Sequence, residues 1–482
     1  MFWHLYDSWV RPDIVLGFHV VIALIASCHA VLTKDEPRAA TGWVGLICLS
    51  PLIGAILYYL FGINRIRRSA VTLMGTEGMA RLDRATEESL DAAGLLADPA
   101  LQQLARLGDK VSNMALTAGN SIEPLVNGEQ AYPAMLQAIT EAASSVMLSS
   151  YIFDLDDVGR EFIAALRQAV LRGVEVRVLI DATGSRYSFP SVVPAIRAAG
   201  IRCARFMPNF QPTRIAALNL RSHRKIMVVD GCIGFTGGMN IRQGNYVTKG
   251  YANPVQDLHF RIVGPVVAHL RRAFIEDWQF TTKEVLTGER WLPHLEPGRG
   301  DVLARGVLDG PDRDFEKVLW TMLGAISAAR SRIRIATPYF LPDATAVRFL
   351  SVALMSGVAV EILLPEKNNI PPVAWAAFAT LPPLLQKNCK VYLVPPPFDH
   401  TKMMLVDDAW ALIGSANWDA RSLRLNFEFN IECYSRELVA RMHLGFEEKM
   451  RHARPLTFAA LNNRSFPVRL RDSVTRLFAP YL

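Results

Sequence analysis

Two stretches of this chain repeat each other, and that repeat restricts the fold more than composition does. Val146-Met-Leu-Ser-Ser-Tyr151-Ile-Phe153 matches Ile333-Arg-Ile-Ala-Thr-Pro-Tyr339-Phe340. Each is a short apolar run that reads as a strand. Each follows a helix-like segment (130–145 and 314–330) and precedes another (158–172 and 343–356). Gly173-Val-Glu-Val-Arg-Val-Leu-Ile-Asp181 and Gly357-Val-Ala-Val-Glu-Ile-Leu-Leu-Pro365 come next, β-branched and nearly continuous, as buried strands are. Strands alternating with helices predict an α/β sandwich in each half, and the two halves predict one pseudo-symmetric body. The Pro- and Gly-containing stretch 293–311 sets the expected boundary, giving halves at 116–295 and 296–482.

The repeat carries charge. His223-Arg-Lys225-Ile-Met-Val-Val-Asp230 is H-x-K-x4-D, and His400-Thr-Lys402-Met-Met-Leu-Val-Asp407 is the same pattern. With 10 His, 11 Lys and 24 Asp, composition predicts about 0.01 such matches in the chain, so two carry strong information. The agreement continues 14 residues after each histidine, with Gly237-Gly238-Met-Asn240 and Gly414-Ser415-Ala-Asn417.

In a strand, residues i and i+2 share a face, so His223 points with Lys225 and His400 with Lys402. Two imidazoles and two ammonium groups then converge on one phosphodiester. Phosphoryl transfer needs a nucleophile, an acid for the leaving group and donors for oxygen charge. One histidine attacks phosphorus, and the other protonates the leaving alkoxide. The spacing does not choose between them. Lys225, Lys402, Asn240 and Asn417 are candidates to hold the phosphoryl oxygens, with Ser415 and Arg221 as further substrate contacts. Asp230 and Asp407 belong to the motif and so to the catalytic set. Yet on a straight strand Asp230 has the opposite parity from His223 and Lys225, and Asp230-Gly231 is a hairpin signal. Both aspartates are therefore read as structural supports, with a different turn expected at Asp407-Asp408. Gly238 opposite Ser415 suggests unequal roles for the halves.

The paired motif resembles the phospholipase D superfamily. Asn219-Leu-Arg221-Ser-His223, Gly414-Ser415-Ala-Asn417-Trp-Asp419-Ala-Arg421-Ser422, Asn426-Phe-Glu428 and Pro51-Leu-Ile-Gly54 leading to Tyr58-Tyr-Leu-Phe61-Gly62 resemble bacterial cardiolipin synthases. The resemblance covers essentially the whole chain. It implies His223 as nucleophile and His400 as acid and base. It also implies Asp257 and Glu428, 34 and 28 residues downstream of the two histidines, as the carboxylates that orient them. The implied reaction joins two phosphatidylglycerol molecules into cardiolipin and glycerol through a phosphohistidine. A phospholipase D-type hydrolase, or a phosphatidyltransferase using phosphatidylethanolamine or serine, is the alternative. A nuclease fits less well, because a membrane anchor removes free diffusion to DNA, and no nucleic-acid partner is expected. No cofactor or metal is expected, since the lysines supply positive charge. His259, His269 and His294 lack a paired motif and read as ordinary residues. A homo-oligomer stays open.

The anchor lies at the N-terminal side. Ile14 to Leu32 and Thr41 to Phe61 are uncharged runs of 19 and 21 residues, each about the ~30 Å of a hydrocarbon core when helical. Their short connector predicts a transmembrane hairpin over 1–68, with a helical linker over 69–115. Arg65, Arg67 and Arg68 after the second run place the body in the cytoplasm by the positive-inside bias, at a bacterial inner membrane crossed more than once. Trp3, Trp9, Trp43, Tyr58 and Tyr59 are candidate interfacial anchors. Ile25-Ala26-Ser27-Cys28 resembles a cleavage site, but the positive segment that should precede it is missing.

A net charge of +7, with 41 Arg against 11 Lys, suits anionic partners. The cluster Arg202, Arg205, Arg214, Arg221 and Arg224 reads as a lipid-phosphate surface or as a solvated face. Arg464, Arg469, Arg471 and Arg476 interleave with Phe466, Leu470 and Leu477, as in an interfacial helix or an end cap. Six scattered cysteines without a CxxC pair predict neither a disulfide framework nor a zinc site.

Overall fold

The computed structural model describes residues 12–34, 37–62, 92–207, 220–295, 298–312 and 314–479. The chain forms two compact units, Met1–Ser69 and Ala70–Leu482.

In the first unit, α1 (Pro12–Thr33) packs against α2 (Pro37–Leu49) and α3 (Pro51–Leu57), and α3 runs into a π-helical turn at Tyr58–Gly62. Val15–Thr33 is long and apolar enough to cross a membrane; among the described residues no second helix is. The second apolar run was expected as one uninterrupted span, and Pro51 is why it is not. Proline has no N–H to donate to the preceding turn, so the helix stops at Leu49 and restarts after Ser50. Tyr58 is also not an interfacial residue. It is buried inside the hairpin, its hydroxyl 2.8 Å from His29 Nδ1 and 3.2 Å from Thr33 Oγ1, with the Trp43 ring edge-on at 5.4 Å. Arg65, Arg67, Arg68, Trp3 and Trp9 lie outside the described residues.

In the second unit the repeat becomes architecture. The first half supplies β1 (Thr117–Val126), β2 (Ser145–Ser150), β3 (Glu175–Asp181), β4 (Arg202–Phe206), β5 (Arg221–Ser222), β6 (Ile226–Val229), β7 (Ile233–Gly237), β8 (Val255–Gln256) and β9 (Leu258–Val263). The second supplies β10 (Val302–Asp309), β11 (Arg332–Ala336), β12 (Ala359–Pro365), β13 (Lys390–Val394), β14 (Phe398–Asp399), β15 (Met403–Val406), β16 (Trp410–Gly414), β17 (Asn426–Tyr434) and β18 (Arg454–Leu456). The sheet order is β18-β13-β12-β11-β15-β16-β17-β10-β1-β9-β7-β6-β2-β3-β4. Read outward from the antiparallel β1–β10 seam, the two directions present the same sequence of parts as far as β13 and β4, and β18 adds an edge strand to the second half. Each half encloses its own apolar core.

The part of the expected linker that is described, 92–115, is not a free connector. The helix Pro99–Val111 is capped by Asp98, whose carboxylate accepts from Ala100 N. It buries Leu104 and Ala105 in the core of the second half. Arg305, fully buried on β10, donates to the Ala105 carbonyl at 2.8 Å and pairs with Glu432 at 2.5 Å and with Asp109. Residues 69–91 lie outside the described set.

Candidate active site

The two motif histidines are placed by strand pairing between the halves. β5, just before His223, lies parallel to β17 of the other half, with Arg221 opposite Asn426 and Ser222 opposite Phe427. His223 N continues that ladder to Phe427 O at 2.9 Å. One step further in register brings His223 beside Glu428. The second half repeats the arrangement: β14 lies parallel to β8, with Asp399 opposite Gln256, and His400 N donates to Gln256 O at 2.7 Å. His400 therefore comes beside Asp257.

The contacts follow. His223 Nδ1 is 3.0 Å from Glu428 Oε2, and His400 Nδ1 is 2.7 Å from Asp257 Oδ2. Each histidine takes its carboxylate from the opposite half, not from the acidic residue downstream in its own. Both carboxylates are buried. A carboxylate only accepts, so a neutral histidine carries its proton on Nδ1 and leaves Nε2 basic. Glu428 is itself held by Asn426 Nδ2 at 3.1 Å.

Lys225 and Lys402 are buried beside the histidines of their own motifs. They occupy the links between strands rather than strands, and each ammonium turns back to its own motif's histidine carbonyl, at 2.7 Å in both. Lys402 Nζ is also 3.0 and 3.1 Å from the two ring nitrogens of His400. Burial pushes Lys225 down to about 7 and Lys402 down to about 8. Burial also lowers His223, and burial with the charge of Lys402 lowers His400 to about 4. Burial alone would raise Asp257 and Glu428. The paired histidine, through its hydrogen bond and any charge it takes up, and the neighbouring lysine outweigh it, and both carboxyls sit below their ordinary range.

The histidines open onto one cavity of about 1220 Å³ whose walls come from both halves. Asn240, Asn417 and Arg221 line it, as does Asp257. The Asn240 amide oxygen accepts from Ile152 N at 3.0 Å, which turns its NH2 away from the backbone. Asn417 Nδ2 bonds Ser422 Oγ at 3.1 Å.

Two expectations need correction, and the place of Asp230 and Asp407 in the motif does not make them cavity residues. Asp230 sits at φ +50° in the β6–β7 turn, and its carboxylate accepts from Ala143, Ser144 and Ser145 N at 2.7–2.9 Å. Asp407, also at φ +50°, does the same for Arg330, Ser331 and Arg332. They gather the start of the first central strand in each half, and the backbone donors hold both carboxyls low against the opposing effect of burial. Ser415 does not line the cavity either. It is fully buried, and its hydroxyl bonds both the carbonyl and the N–H of Phe429. The arginine cluster is not one surface. Arg221 lines the cavity, Arg224 is buried against Asp277 at 2.8 Å, and Arg202 is exposed beside Glu284. Arg214 lies outside the described residues.

Tyr151 and Tyr339, the aromatic residues that the repeat shares, also reach the cavity. Tyr151 packs its ring on His223 at 5.0 Å, and Lys225 sits 5.4 Å from the ring centroid. Tyr339 stands at 6.3 Å from His400 and donates to Asn369 at 2.9 Å. Arg242, Lys367 and Arg421 add cationic lining.

A model of the family described as "Cardiolipin synthase, PLD-like domain" matches residues 135–278 and 322–450, and one described as "Phospholipase_D-nuclease N-terminal" matches 21–62. The chain is 32% identical to the cardiolipin synthase of Geobacillus thermodenitrificans, over 96% of this chain and 94% of that protein. It is 32% identical to cardiolipin synthase 1 of Bacillus anthracis, over 98% and 95%. Among solved structures, phosphatidylserine synthase of Haemophilus influenzae superposes with a TM-score of 0.64 at 16% identity, over 79% of this chain and all of that one. That likeness is one of fold. With the duplicated motif and a near full-length match, the chain belongs to the cardiolipin synthase family of the phospholipase D superfamily.

Proposed function

We propose that this membrane-associated enzyme transfers a phosphatidyl group between two phosphatidylglycerol molecules, giving cardiolipin and glycerol. The observation that carries the reading is the crossed pairing of His223 with Glu428 and His400 with Asp257 around one cavity.

Burial favours neutral histidines and easily discharged lysines. A phosphodiester anion reverses both tendencies, because it favours the cationic form of every neighbour. His223, its Nδ1–H held by Glu428, attacks phosphorus through Nε2. The P–O bond to glycerol breaks, and His400 gives that oxygen its proton. The headgroup hydroxyl of a second phosphatidylglycerol then attacks the phosphohistidine. His400 takes the hydroxyl proton, the P–N bond breaks, and His223 is restored. Lys225 and Lys402 stabilise the charge that gathers on the phosphoryl oxygens, while Asn240, Asn417 and Arg221 position the diester. His223 as nucleophile follows the family pattern.

The exchange trades one phosphodiester for another, so no activated donor is required. The roles and the division into an anchor at 1–68, a linker at 69–115 and halves at 116–295 and 296–482 belong to this reading. So does the placement: the hairpin spans a bacterial cell membrane twice, its second leg interrupted at Pro51, with the body in the cytoplasm. Breaks in a spanning helix are tolerated where neighbouring groups satisfy the freed backbone.

The test is a pair of variants. His223→Ala and His400→Ala should each reduce turnover to background, because one reaction uses both. Half of the activity in either variant would mean two independent sites.

A further inference from the structure

The helix Phe466–Arg476 is built inside out. It packs on the helix Pro371–Thr380, yet the residue it buries most deeply is Asp472, which receives Arg464 at 2.6 Å and Arg471 at 2.7 Å. Those two guanidinium groups stack on Phe378 at 5.2 Å and Trp375 at 4.2 Å. The apolar side chains point the other way. Phe466 is 75% exposed, Leu470 50%, Val474 45%, and Leu477, in the turn that follows, 72%. At about 100° per residue these four fall on one stripe, and Phe478 extends it. Arg471 flanks one edge, while Arg469 and Arg476 flank the other. Water does not favour a continuous apolar stripe of this size, and such a stripe marks a surface meant to be covered.

Its position says what covers it. The supporting helix Pro371–Thr380 puts Val373 into the cavity wall, and Ile370, just before that helix, lines the cavity while 42% exposed. The stripe therefore lies one helix away from the site. Val15–Thr33 is long and apolar enough to cross a membrane, and arginines border the apolar face as they do on helices that lie in an anionic bilayer surface.

We infer that the exposed face of 466–478 inserts into the anionic bilayer surface and holds the cavity mouth against the lipids it consumes. This inference rests on the proposed use of lipid substrates and goes beyond it in assigning a docking surface to the catalytic unit itself. The docking is separate from the N-terminal anchor: α1 keeps the enzyme on the membrane, and this helix sets its orientation.

The experiment uses the full chain in vesicles of phosphatidylglycerol and phosphatidylcholine. Leu470→Asp and Val474→Asp should lower cardiolipin formation from bilayer lipid by roughly tenfold. Turnover of a short-chain phosphatidylglycerol dissolved as monomers should stay unchanged. Equal turnover of both substrates by the variants and the parent overturns the inference. If the variants lose both activities together, a photoreactive residue in place of Leu470 decides. Crosslinks to lipid support the inference; crosslinks to a second copy of the chain, or none, overturn it. Failure of the parent enzyme on soluble phosphatidylglycerol would instead count against the proposed reaction, and the crosslinking result would stand by itself.

Discussion

Glu428 belongs to the second half of the chain, and the histidine it holds, His223, belongs to the first, at 3.0 Å. The reciprocal bond from His400 to Asp257 makes the pairing mutual. Neither half therefore contains a complete histidine–carboxylate pair. Under the proposed reaction, this is how a duplicated fold carries one site rather than two.

Replacing Glu428 with Gln should cut kcat roughly 100-fold while leaving the fold intact, because the amide cannot stabilise the Nδ1 proton as a carboxylate does. Asp257→Asn should do the same through His400. Turnover and far-UV circular dichroism of both variants check this. Full activity in either would mean that the crossed bonds only pack the seam.

The aspartates of the motif should behave oppositely. Asp230→Ala strips the partner from three backbone N–H groups and should cost about 1–3 kcal/mol of stability. The folded fraction should keep kcat within about twofold. Denaturant titration alongside kinetics separates the two effects. A 100-fold loss of kcat in fully folded protein would restore Asp230 to the catalytic set.

Much of this was legible in the residues. The repeat pointed to both strands and the helices around them, although the strands stop at Ser150 and Ala336, short of Tyr151 and Tyr339. The Asp230-Gly231 hairpin signal gave its turn, whereas the parity argument did not hold, because His223 and Lys225 lie before β6 and not on it. What stayed hidden depends on pairing between distant strands. The distance in sequence from His223 to Glu428 says nothing about which histidine that carboxylate meets. The meeting is fixed by β5 adding to β17 and β14 to β8, two short ladders of two residue pairs each. Lys225 keeps its expected neighbourhood for a different reason from the one foreseen: its ammonium folds back to His223 O instead of sharing a strand face. The π-turn and the Pro51 break were visible as residues, yet uniform apolarity across 41–61 masked them.

The lysines make the site sensitive to pH. Burial pushes Lys225 down to about 7 and Lys402 down to about 8, so above pH 8 both are largely uncharged. An entering phosphodiester raises them again, so binding at that pH takes up on the order of one proton. Calorimetry with soluble short-chain phosphatidylglycerol in two buffers of different ionisation enthalpy measures the uptake. By the same sign, kcat/KM falls as pH rises beyond about 8. Proton release on binding, or a kcat/KM that rises through this range, would contradict it.

The anchor and the body separate as compact units. Removing residues 1–62 should leave a folded body that turns over detergent-dispersed lipid, because the cavity is built from residues of the second unit. Circular dichroism and a detergent assay test this. Loss of secondary structure on truncation would show that the hairpin is part of the catalytic fold.

The most direct test of the central claim supplies radiolabelled phosphatidylglycerol as the sole lipid, with a chelator present and no nucleotide. The account predicts cardiolipin and glycerol in equal amounts, and excess glycerol should return cardiolipin to phosphatidylglycerol. Phosphatidic acid as the sole product, or cardiolipin formed only after another phosphatidyl donor is added, would contradict it.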